Sequence, residues 1–268
     1  MLQIKPITDF QLWDKWAETS PQGTIFCESR WLELIGKPYQ IWGVYKGKEM
    51  IGGIANFDEL APLTPFQGIL MKDDNVDDQL VVARALLEVA PKQFYNHYTF
   101  TDIRPFKWAG WQADVKYTYV MQLDEGIMSR MQKKTRYEIT SSHLAMQGSP
   151  DIEAFCDLYH HTFGRKGLSP PVTDALIQEI HGTCDSNLYM ANDGSAGAIM
   201  IRDTKRSYYI LGASDGRGNS SFVLGQALLS EGALRHEVDL VGCNDEKIGL
   251  FKRGFGGELK PYYGVRRV

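Results

Sequence analysis

Near its C-terminus the chain carries the stretch Phe251-Lys252-Arg253-Gly254-Phe255-Gly256-Gly257-Glu258-Leu259-Lys260-Pro261-Tyr262-Tyr263. Its glycines allow backbone angles that other residues avoid, and they let a ligand or another segment approach closely. The neighbouring lysine and arginine bring positive charge to the same place. A cationic, glycine-rich turn suits an anionic ligand or a developing oxyanion, although a bulged strand end with solvated cations remains the alternative. We predict ligand contacts from Phe251, Arg253, Gly254, Gly256 and Gly257.

The bulk composition is that of a soluble globular protein. The 268 residues are 43% hydrophobic and 23% charged, which is enough for one large domain or two modest ones. The first residues lack a charged leader followed by an apolar run, and no stretch approaches the ~20 apolar residues of a membrane span. We therefore expect a cytoplasmic protein without a transmembrane segment.

Charge and cysteine usage restrict the partners further. A formal net charge of -4 argues against DNA as a partner, although a local basic patch could still serve a tRNA. The four cysteines are widely scattered without a Cys-x-x-Cys pair, so we expect reduced thiols. His181 with Cys184, and the pair His160-His161, lack further ligands at metal-site spacing. No metal site is predicted.

The same order of elements occurs twice. In the first half the pattern predicts a helix capped by Thr8 or Asp9 and another over residues 26–35. A hairpin over residues 40–57, a helix over residues 79–90, and strands over residues 98–103 and 116–123 follow. In the second half it predicts helices capped by Ser149-Pro150 and by Thr173, a three-stranded meander over residues 187–213, and another helix. We infer two similar modules, over residues 1–125 and 126–268.

The C-terminal stretch resembles the signature of the Fem family of peptidoglycan-bridge aminoacyltransferases and of their shorter relatives in the GNAT acyltransferase superfamily. Further pieces fall in the family's order: Gly23-Thr24-Ile25-Phe26-Cys27-Glu28-Ser29-Arg30-Trp31, Lys134-Thr135-Arg136-Tyr137-Glu138-Ile139, Tyr208-Tyr209-Ile210-Leu211-Gly212-Ala213-Ser214 and Val238-Asp239-Leu240-Val241-Gly242. The resemblance implies an α/β (α+β) fold of tandem GNAT-like modules, each a mixed, mainly antiparallel sheet flanked by helices, with a cleft between or along them.

Length sets this chain apart from full-length Fem transferases, which often carry a long helical arm in the second half. Only about ten residues separate Phe163 from Thr173, so no arm fits there. The resemblance then favours the shorter N-acyltransferase relatives over a tRNA-dependent transferase.

A polar loop follows the predicted strand that ends near Ala213. In it, Arg217 adds a full charge to the free backbone amides at the start of the next helix, and Asn219 and Ser220 stand at that start. The loop has the position at which GNAT enzymes grip the pyrophosphate of their donor, but their Arg/Gln-x-x-Gly-x-Gly/Ala pattern is not clearly present. A flexible loop with an ordinary helix cap is the alternative.

A basic segment, residues 129–137, has four cations in its first eight positions and is predicted to be helical. Such a cluster attracts a phosphorylated ligand, although solvated helix charges are the simpler alternative. The resemblance selects Arg136, because Lys-x-Arg-x-x-Ile matches the family there. Tyr209 is a further candidate that could line the cleft, or complete a half-buried sheet face.

The resemblance also assigns the chemistry of amide formation. Lys252 matches the lysine that stabilises the oxyanion, and Asp102 stands where the acceptor amine is oriented and deprotonated; a turn cap is the alternative for Asp102. Asp239, unusual in an apolar strand, could orient Lys252 or merely satisfy a backbone donor.

These features predict an N-acyltransferase of cell-wall or polysaccharide biosynthesis. The donor would be acyl-CoA or a similar thioester, with no covalently bound cofactor, and the acceptor a primary amine on a small-molecule or lipid-linked amino sugar, peptide or cell-envelope precursor. Charged tRNA is the alternative donor. A non-catalytic ligand-binding module on the same scaffold is the alternative of another class.

Overall fold

A computed structural model describes residues 2–57 and 59–268 and divides the chain into two compact units. Unit 1 runs to Tyr117 and takes in Lys260–Val268, and unit 2 is Thr118–Leu259. The sequence placed the division at residues 125 and 126, eight residues later, and assigned the last nine residues to the second module. The structure instead returns the end of the chain to unit 1.

Unit 1 is built on an antiparallel sheet in the order β1-β2-β3-β4. Its helices and strands are β1 (Leu2–Pro6), α1 (Phe10–Thr19), α2 (Ser29–Ile35), β2 (Tyr39–Lys46), β3 (Glu49–Phe57), β4 (Ile69–Met71), α3 (Val76–Leu86), β5 (Gln93–Tyr95) and α4 (Arg104–Trp108). A short 3-10 helix, Ile25–Cys27, precedes α2. Apolar side chains gather in two clusters, one around Val82 and one around Trp13.

Two strands cross the division between the units: β6 (Gln112–Gln122), and the last strand of the chain, β11 (Glu258–Arg266). Within unit 1, β11 pairs antiparallel with β5, with Val265 opposite Phe94.

Unit 2 contains α5 (Ile127–Arg130), α6 (Lys133–Thr140), α7 (Ile152–Gly164), α8 (Asp174–Thr183), β7 (Ser186–Met190), β8 (Ala196–Arg202), β9 (Ser207–Ser214), α9 (Ser220–Glu231), β10 (Glu237–Asp239) and α10 (Glu246–Arg253). Starting from β6, its strands lie in the order β6-β10-β9-β8-β7. The β9 and β10 strands are parallel, whereas the other described pairs in this unit are antiparallel.

Local sequence explains most of these elements. Asp9 and Thr173 cap α1 and α8 with side-chain hydrogen bonds, as expected from their positions before apolar periodic segments. For α7 the cap is Asp151, two residues beyond the predicted Ser149. No helix in the described parts of the chain is both long and apolar enough to cross a membrane.

Two predicted elements are wrong. Residues 98–103 form no strand, because this segment turns directly into α4 at Arg104. The basic segment is not one helix, since Met131 adopts extended backbone angles and its buried side chain separates α5 from α6. Between α7 and α8 only residues 165–173 intervene, and they contain no helix or strand.

The glycines of the C-terminal stretch are explained by packing of unit 2 on itself. A Cβ at Gly254 would lie 2.4 Å from the Thr135 hydroxyl oxygen, and one at Gly257 would lie 2.7 Å from Cγ of Met121. Gly256 has a φ of +81° and a Cβ there would lie 2.1 Å from the carbonyl oxygen of Arg130. The close approach expected of a ligand is therefore made by α5, α6 and β6.

We expect Gly256→Ala to lower the free energy of unfolding by about 2 kcal/mol or more, because it combines a positive φ with a backbone collision. Urea denaturation of the full chain measures this. Gly182→Ala is the control: this glycine lies in α8, and a Cβ added there would meet nothing within 4 Å, so the change should be neutral or stabilising by up to ~1 kcal/mol. Equal effects of the two substitutions would contradict the packing role of Gly256.

Candidate functional site

A cleft opens in unit 2 where β9 and β10 part. The two parallel strands pair at only two positions, Val238 with Ser207 and Asp239 with Tyr208. Strand β9 then continues to Ser214 without β10 beside it. The cleft has a volume of about 290 Å³. It is lined by Thr162, Phe163, Lys166, Tyr209, Ile210, Leu211, Gly212, Ala213, Ser214, Ser220, Val241, Ile248, Phe251 and Lys252.

The divergence leaves one edge of β9 unpaired. Strand β8 covers the other edge along the whole length of β9. Beyond Tyr208, no described strand pairs with the edge that faces the cleft. Backbone amides and carbonyls on an open strand edge can pair with an extended ligand that carries its own amides.

Lys252 lies on the inner face of α10 with only 7% of its surface exposed. Its Nζ donates hydrogen bonds to three successive backbone carbonyls, those of Leu240 at 2.5 Å, Val241 at 2.5 Å and Gly242 at 2.7 Å. An ammonium has three N–H donors, so all of them are taken. To donate to an oxyanion, Lys252 would have to release a carbonyl; otherwise it acts as a fixed charge.

Burial lowers the pKa of Lys252 to about 8, while the negative charge of Asp239 acts in the opposite direction. At neutral pH the side chain is still mostly protonated. Its Nζ lies 5.4 Å from the centroid of the Tyr209 ring, a cation–π contact. This charge therefore stands at the cleft with an aromatic face beside it.

Tyr209 lines the cleft, and its hydroxyl lies beside Gly212, which is also a lining residue. A Cβ at Gly212 would lie 1.9 Å from the hydroxyl oxygen, so the glycine makes room for it. No described residue forms a hydrogen bond with this hydroxyl, and burial raises its pKa to about 12. The group stays protonated at neutral pH and can donate a hydrogen bond to a ligand.

The loop before α9 differs from expectation in its charge. Arg217 pairs with Asp215 at 2.5 Å and with Asp193 at 3.1 Å, so two carboxylates offset its charge. The Asn219 side chain donates to the Ser195 hydroxyl at 2.7 Å and does not cap α9. Of the three predicted loop residues only Ser220 lines the cleft, where α9 begins with uncapped amides.

Three cations of α6 and α10 lie away from the cleft: Lys133 and Arg253 are exposed, and Arg136 is half-buried. Within the described chain, the side chains of Lys133, Arg136 and Arg253 have no hydrogen-bond or ion-pair partner, and none of them lines the cleft. The two helices meet where the backbone N–H of Gln132 donates to the carbonyl of Gly254 at 2.9 Å. A cationic surface thus lies beside the C-terminal stretch.

Asp102 lies in unit 1, in the turn before α4. Both carboxylate oxygens accept hydrogen bonds from the Arg104 guanidinium at 2.8 Å, and Oδ1 also accepts the backbone N–H of Arg104 at 3.1 Å. The side-chain hydrogen bond from Arg104 holds the pKa of Asp102 below its ordinary value. This geometry is that of a turn cap, and it makes Asp102 a weaker base.

Sequence analysis predicted four residues that line the cleft: Tyr209, Ser220, Phe251 and Lys252. Two further contributions were not predicted. Thr162 of α7 exchanges hydrogen bonds with the backbone of Ser214, and Lys166, two residues beyond the end of α7, has its Nζ 5.7 Å from the centroid of the Phe163 ring. Sequence analysis also missed Ile248. The only sequence signal for these residues is the end of one amphipathic helix and the start of another, which does not indicate a cleft.

Comparison with known proteins identifies the fold. No family model and no curated protein matches the sequence. Among solved structures, FemX superposes with a TM-score of 0.71 at 12% identity, over 97% of this chain and 96% of that one. A tandem GNAT protein from the clavulanic acid biosynthesis pathway matches with a TM-score of 0.53 at 10% identity, over 99% and 98%. L-PGS from Bacillus licheniformis matches with a TM-score of 0.53 at 11% identity, over 88% of this chain and 86% of that one.

These likenesses define the class of fold. The chain has a Fem-like GNAT fold of mixed α/β architecture, as the C-terminal stretch indicated. The identities are low, so the likeness concerns the fold and leaves the substrates to be argued from the cleft.

We expect Asp102→Asn to lower the free energy of unfolding by about 1 kcal/mol at pH 7, because it removes one charge of the pair with Arg104. The pKa of Asp102 is lowered in the folded state, so this stability is present above the ordinary pKa of 3.8 and is lost as the pH falls below it. Urea denaturation at pH 7 and at acidic pH checks both parts. Asp114→Asn, at an exposed carboxylate 3.7 Å from Lys116, is the control with little expected effect.

Proposed function

We propose that this protein is an N-acyltransferase that moves an acyl group from an acyl-CoA or similar thioester to a primary amine. The acceptor would be an amino sugar, a peptide or a cell-envelope precursor. The observation that carries the proposal is the cleft between the parted strands β9 and β10, which combines an open strand edge with a buried positive charge.

The cleft suits the arm of coenzyme A. This arm is an extended chain with two amide groups, so it can pair with the unpaired edge of β9 as an added strand does. Apolar side chains from two elements, Leu211 of β9 and Ile248 and Phe251 of α10, cover its hydrocarbon parts. The arm would bring its thioester towards Lys252 and Tyr209.

The reaction joins an amine nitrogen to the thioester carbonyl carbon and breaks the carbon–sulfur bond. Negative charge develops first on the carbonyl oxygen, where the nearby charge of Lys252 stabilises it in a site of low dielectric. The charge then moves to the departing sulfur, and the Tyr209 hydroxyl can donate a hydrogen bond to it. The attacking nitrogen loses one proton and the thiolate gains one.

The residues that line the cleft include no carboxylate and no imidazole. The amine must therefore arrive in its neutral form, or lose its proton to water or to a base outside the cleft. Asp102 is a weak candidate for that base, because its carboxylate is already paired with Arg104.

Thermal unfolding with acetyl-CoA, longer acyl-CoAs and UDP-sugars tests the donor. A ligand at a hundredfold excess over its dissociation constant should stabilise the native chain by about 2.7 kcal/mol. Ile248→Trp fills the mouth of the cleft and should abolish the shift. Leu250→Trp is the matched control, since Leu250 lies on the same helix, is 51% exposed and does not line the cleft.

A thioester that stabilises the wild type and both tryptophan variants equally would bind elsewhere and remove the basis of the proposal. Stabilisation by a UDP-sugar alone, with no acylated product from any donor, would favour the non-catalytic binding module.

Lys252→Met should lower kcat by about 10²–10³-fold while leaving donor affinity within a few-fold, because the charge is needed where the oxyanion develops. Lys247→Met is the control, at an exposed lysine of the same helix that does not line the cleft. Release of free thiol from the donor, followed with a range of amines, measures both. Normal turnover by the Lys252→Met variant would exclude this role.

The dependence on pH follows from the pKa of about 8. Because the ammonium is charged below that value, kcat should fall as the pH rises through about 8. Deprotonation of the acceptor amine acts in the opposite direction, so the profile should be bell-shaped. The alkaline limb should disappear in whatever activity Lys252→Met retains.

Charged tRNA is a second candidate donor, favoured by the cations Lys133, Arg136 and Arg253. Against it stand the acidic net charge of -4 and the absence of a helix between α7 and α8. Activity in an extract should survive RNase if the donor is a thioester. Loss of activity on RNase treatment, together with weaker binding of tRNA by Arg136→Glu, would support the aminoacyl transfer instead.

A further inference from the structure

Asp239, the last residue of β10, is a fully buried carboxylate with incomplete hydrogen bonding. Its Oδ1 accepts a hydrogen bond from the Thr118 hydroxyl and another from the backbone N–H of Val241 at 2.7 Å. Its Oδ2 has no hydrogen-bond partner among the described residues. Burial of a carboxylate oxygen without a hydrogen-bond partner lowers the stability of the fold, so the presence of Asp239 here needs an explanation.

The turn after Asp239 has unusual backbone angles. Val241 has a φ of 47° and Gly242 a φ of 65°, so two successive residues lie in the left-handed region. Glycine adopts this conformation readily, whereas a β-branched valine rarely does. Such a backbone persists only where its surroundings hold it in place. Two side chains contact this turn: Asp239 accepts the Val241 N–H, and Lys252 donates to the carbonyls of Val241 and Gly242.

This turn is what brings three carbonyls to one point. Because Val241 and Gly242 are left-handed, their carbonyls and that of Leu240 all face Nζ of Lys252, at 2.5 to 2.7 Å. An ordinary extended continuation of β10 would point successive carbonyls to opposite sides. The position of the ammonium therefore depends on the turn, and Asp239 accepts the backbone N–H at the start of that turn.

We propose that Asp239 is a positioning residue, which fixes the left-handed turn at Val241 and Gly242 and thereby holds the charge of Lys252 at the cleft. The effect of Asp239 on catalysis rests on the proposed function. Its effect on the position and pKa of Lys252 can be tested without a substrate. Asp239 also supplies the negative charge that keeps the buried ammonium compensated.

Other charged and titratable groups contribute to the electrostatic field around Asp239 and Lys252. Burial raises the pKa of Asp239 to about 6, and the charges of Arg206 and Lys252 act in the opposite direction. The charge of Asp239 contributes to the raised pKa of Tyr208. The Cys243 thiol and the Tyr209 ring lie near the Lys252 ammonium. At pH 7 Asp239 is mostly ionised and Lys252 mostly protonated, so the two charges compensate one another across the turn.

The test uses the full chain labelled with ¹³C and ¹⁵N in its lysine side chains, with Lys252 assigned by its absence in Lys252→Met. Asp239→Asn keeps an acceptor for the Val241 N–H but removes the charge. The pKa of Lys252 should move to lower values, and its ammonium protons should still exchange slowly. Asp239→Ala removes the acceptor as well, and proton exchange at Lys252 should become faster by about tenfold or more for each hydrogen bond lost.

Asp203→Asn is the matched control, because Asp203 is also buried in unit 2 but accepts its bonds from the Tyr208 hydroxyl and the Arg206 N–H. It should leave the Lys252 signals unchanged. If Asp239→Ala does not fold, Asp239→Leu takes its place, because leucine keeps the shape of the side chain but offers no acceptor to the Val241 N–H. Unchanged titration of Lys252 in Asp239→Asn, or unchanged exchange in a folded Asp239→Ala or Asp239→Leu, would overturn the proposal.

An activity readout adds a separate arm. In Asp239→Asn the alkaline limb of kcat should shift to lower pH together with the pKa of Lys252, whereas KM for the donor should be unaffected. If the nuclear resonance results hold but no thioester is ever a substrate, the proposed function fails while the positioning role of Asp239 stands.

Discussion

The central constraint of unit 2 is the buried ammonium of Lys252, bound by three carbonyls at the end of β10. Removing this charge from water is expensive, and the protein compensates with a full set of hydrogen bonds, the Tyr209 ring and the carboxylate of Asp239. Directly after β10, the chain turns through the left-handed residues Val241 and Gly242 instead of continuing beside β9. The strands therefore part here, and the cleft is the space between them.

The glycines of the C-terminal stretch help to position Lys252 by allowing close packing around the end of α10. They allow the end of α10 to lie against Thr135, Arg130 and Met121, which fixes the helix that carries Lys252. Phe255 is fully buried in the adjacent apolar cluster. The conspicuous sequence thus positions a functional side chain by packing, whereas the ligand-facing surface is built from less conspicuous residues such as Leu211, Ile248 and Phe163.

The charge distribution bears on which donor the cleft could accept. Arg217 was the predicted phosphate ligand, but Asp193 and Asp215 offset its charge, so the loop before α9 offers mainly backbone amides. Lys166, just after α7, lies at the cleft, whereas Lys133, Arg136 and Arg253 do not line it. The positive charge at the cleft therefore comes from Lys252 and Lys166 rather than from Arg217 in the loop.

Local patterns in the sequence were enough to predict the repeated order of elements and the starts of α1 and α8, because caps and periodicity are local properties. The sequence also singled out Tyr209, Ser220, Phe251 and Lys252, which all line the cleft. It could not determine that residues 98–103 turn into a helix, that Arg217 is paired, or that Asp102 caps a turn. These outcomes depend on which distant groups come within hydrogen-bonding distance. Only tertiary structure decided that the glycines face the protein, and that β9 and β10 part around a buried lysine.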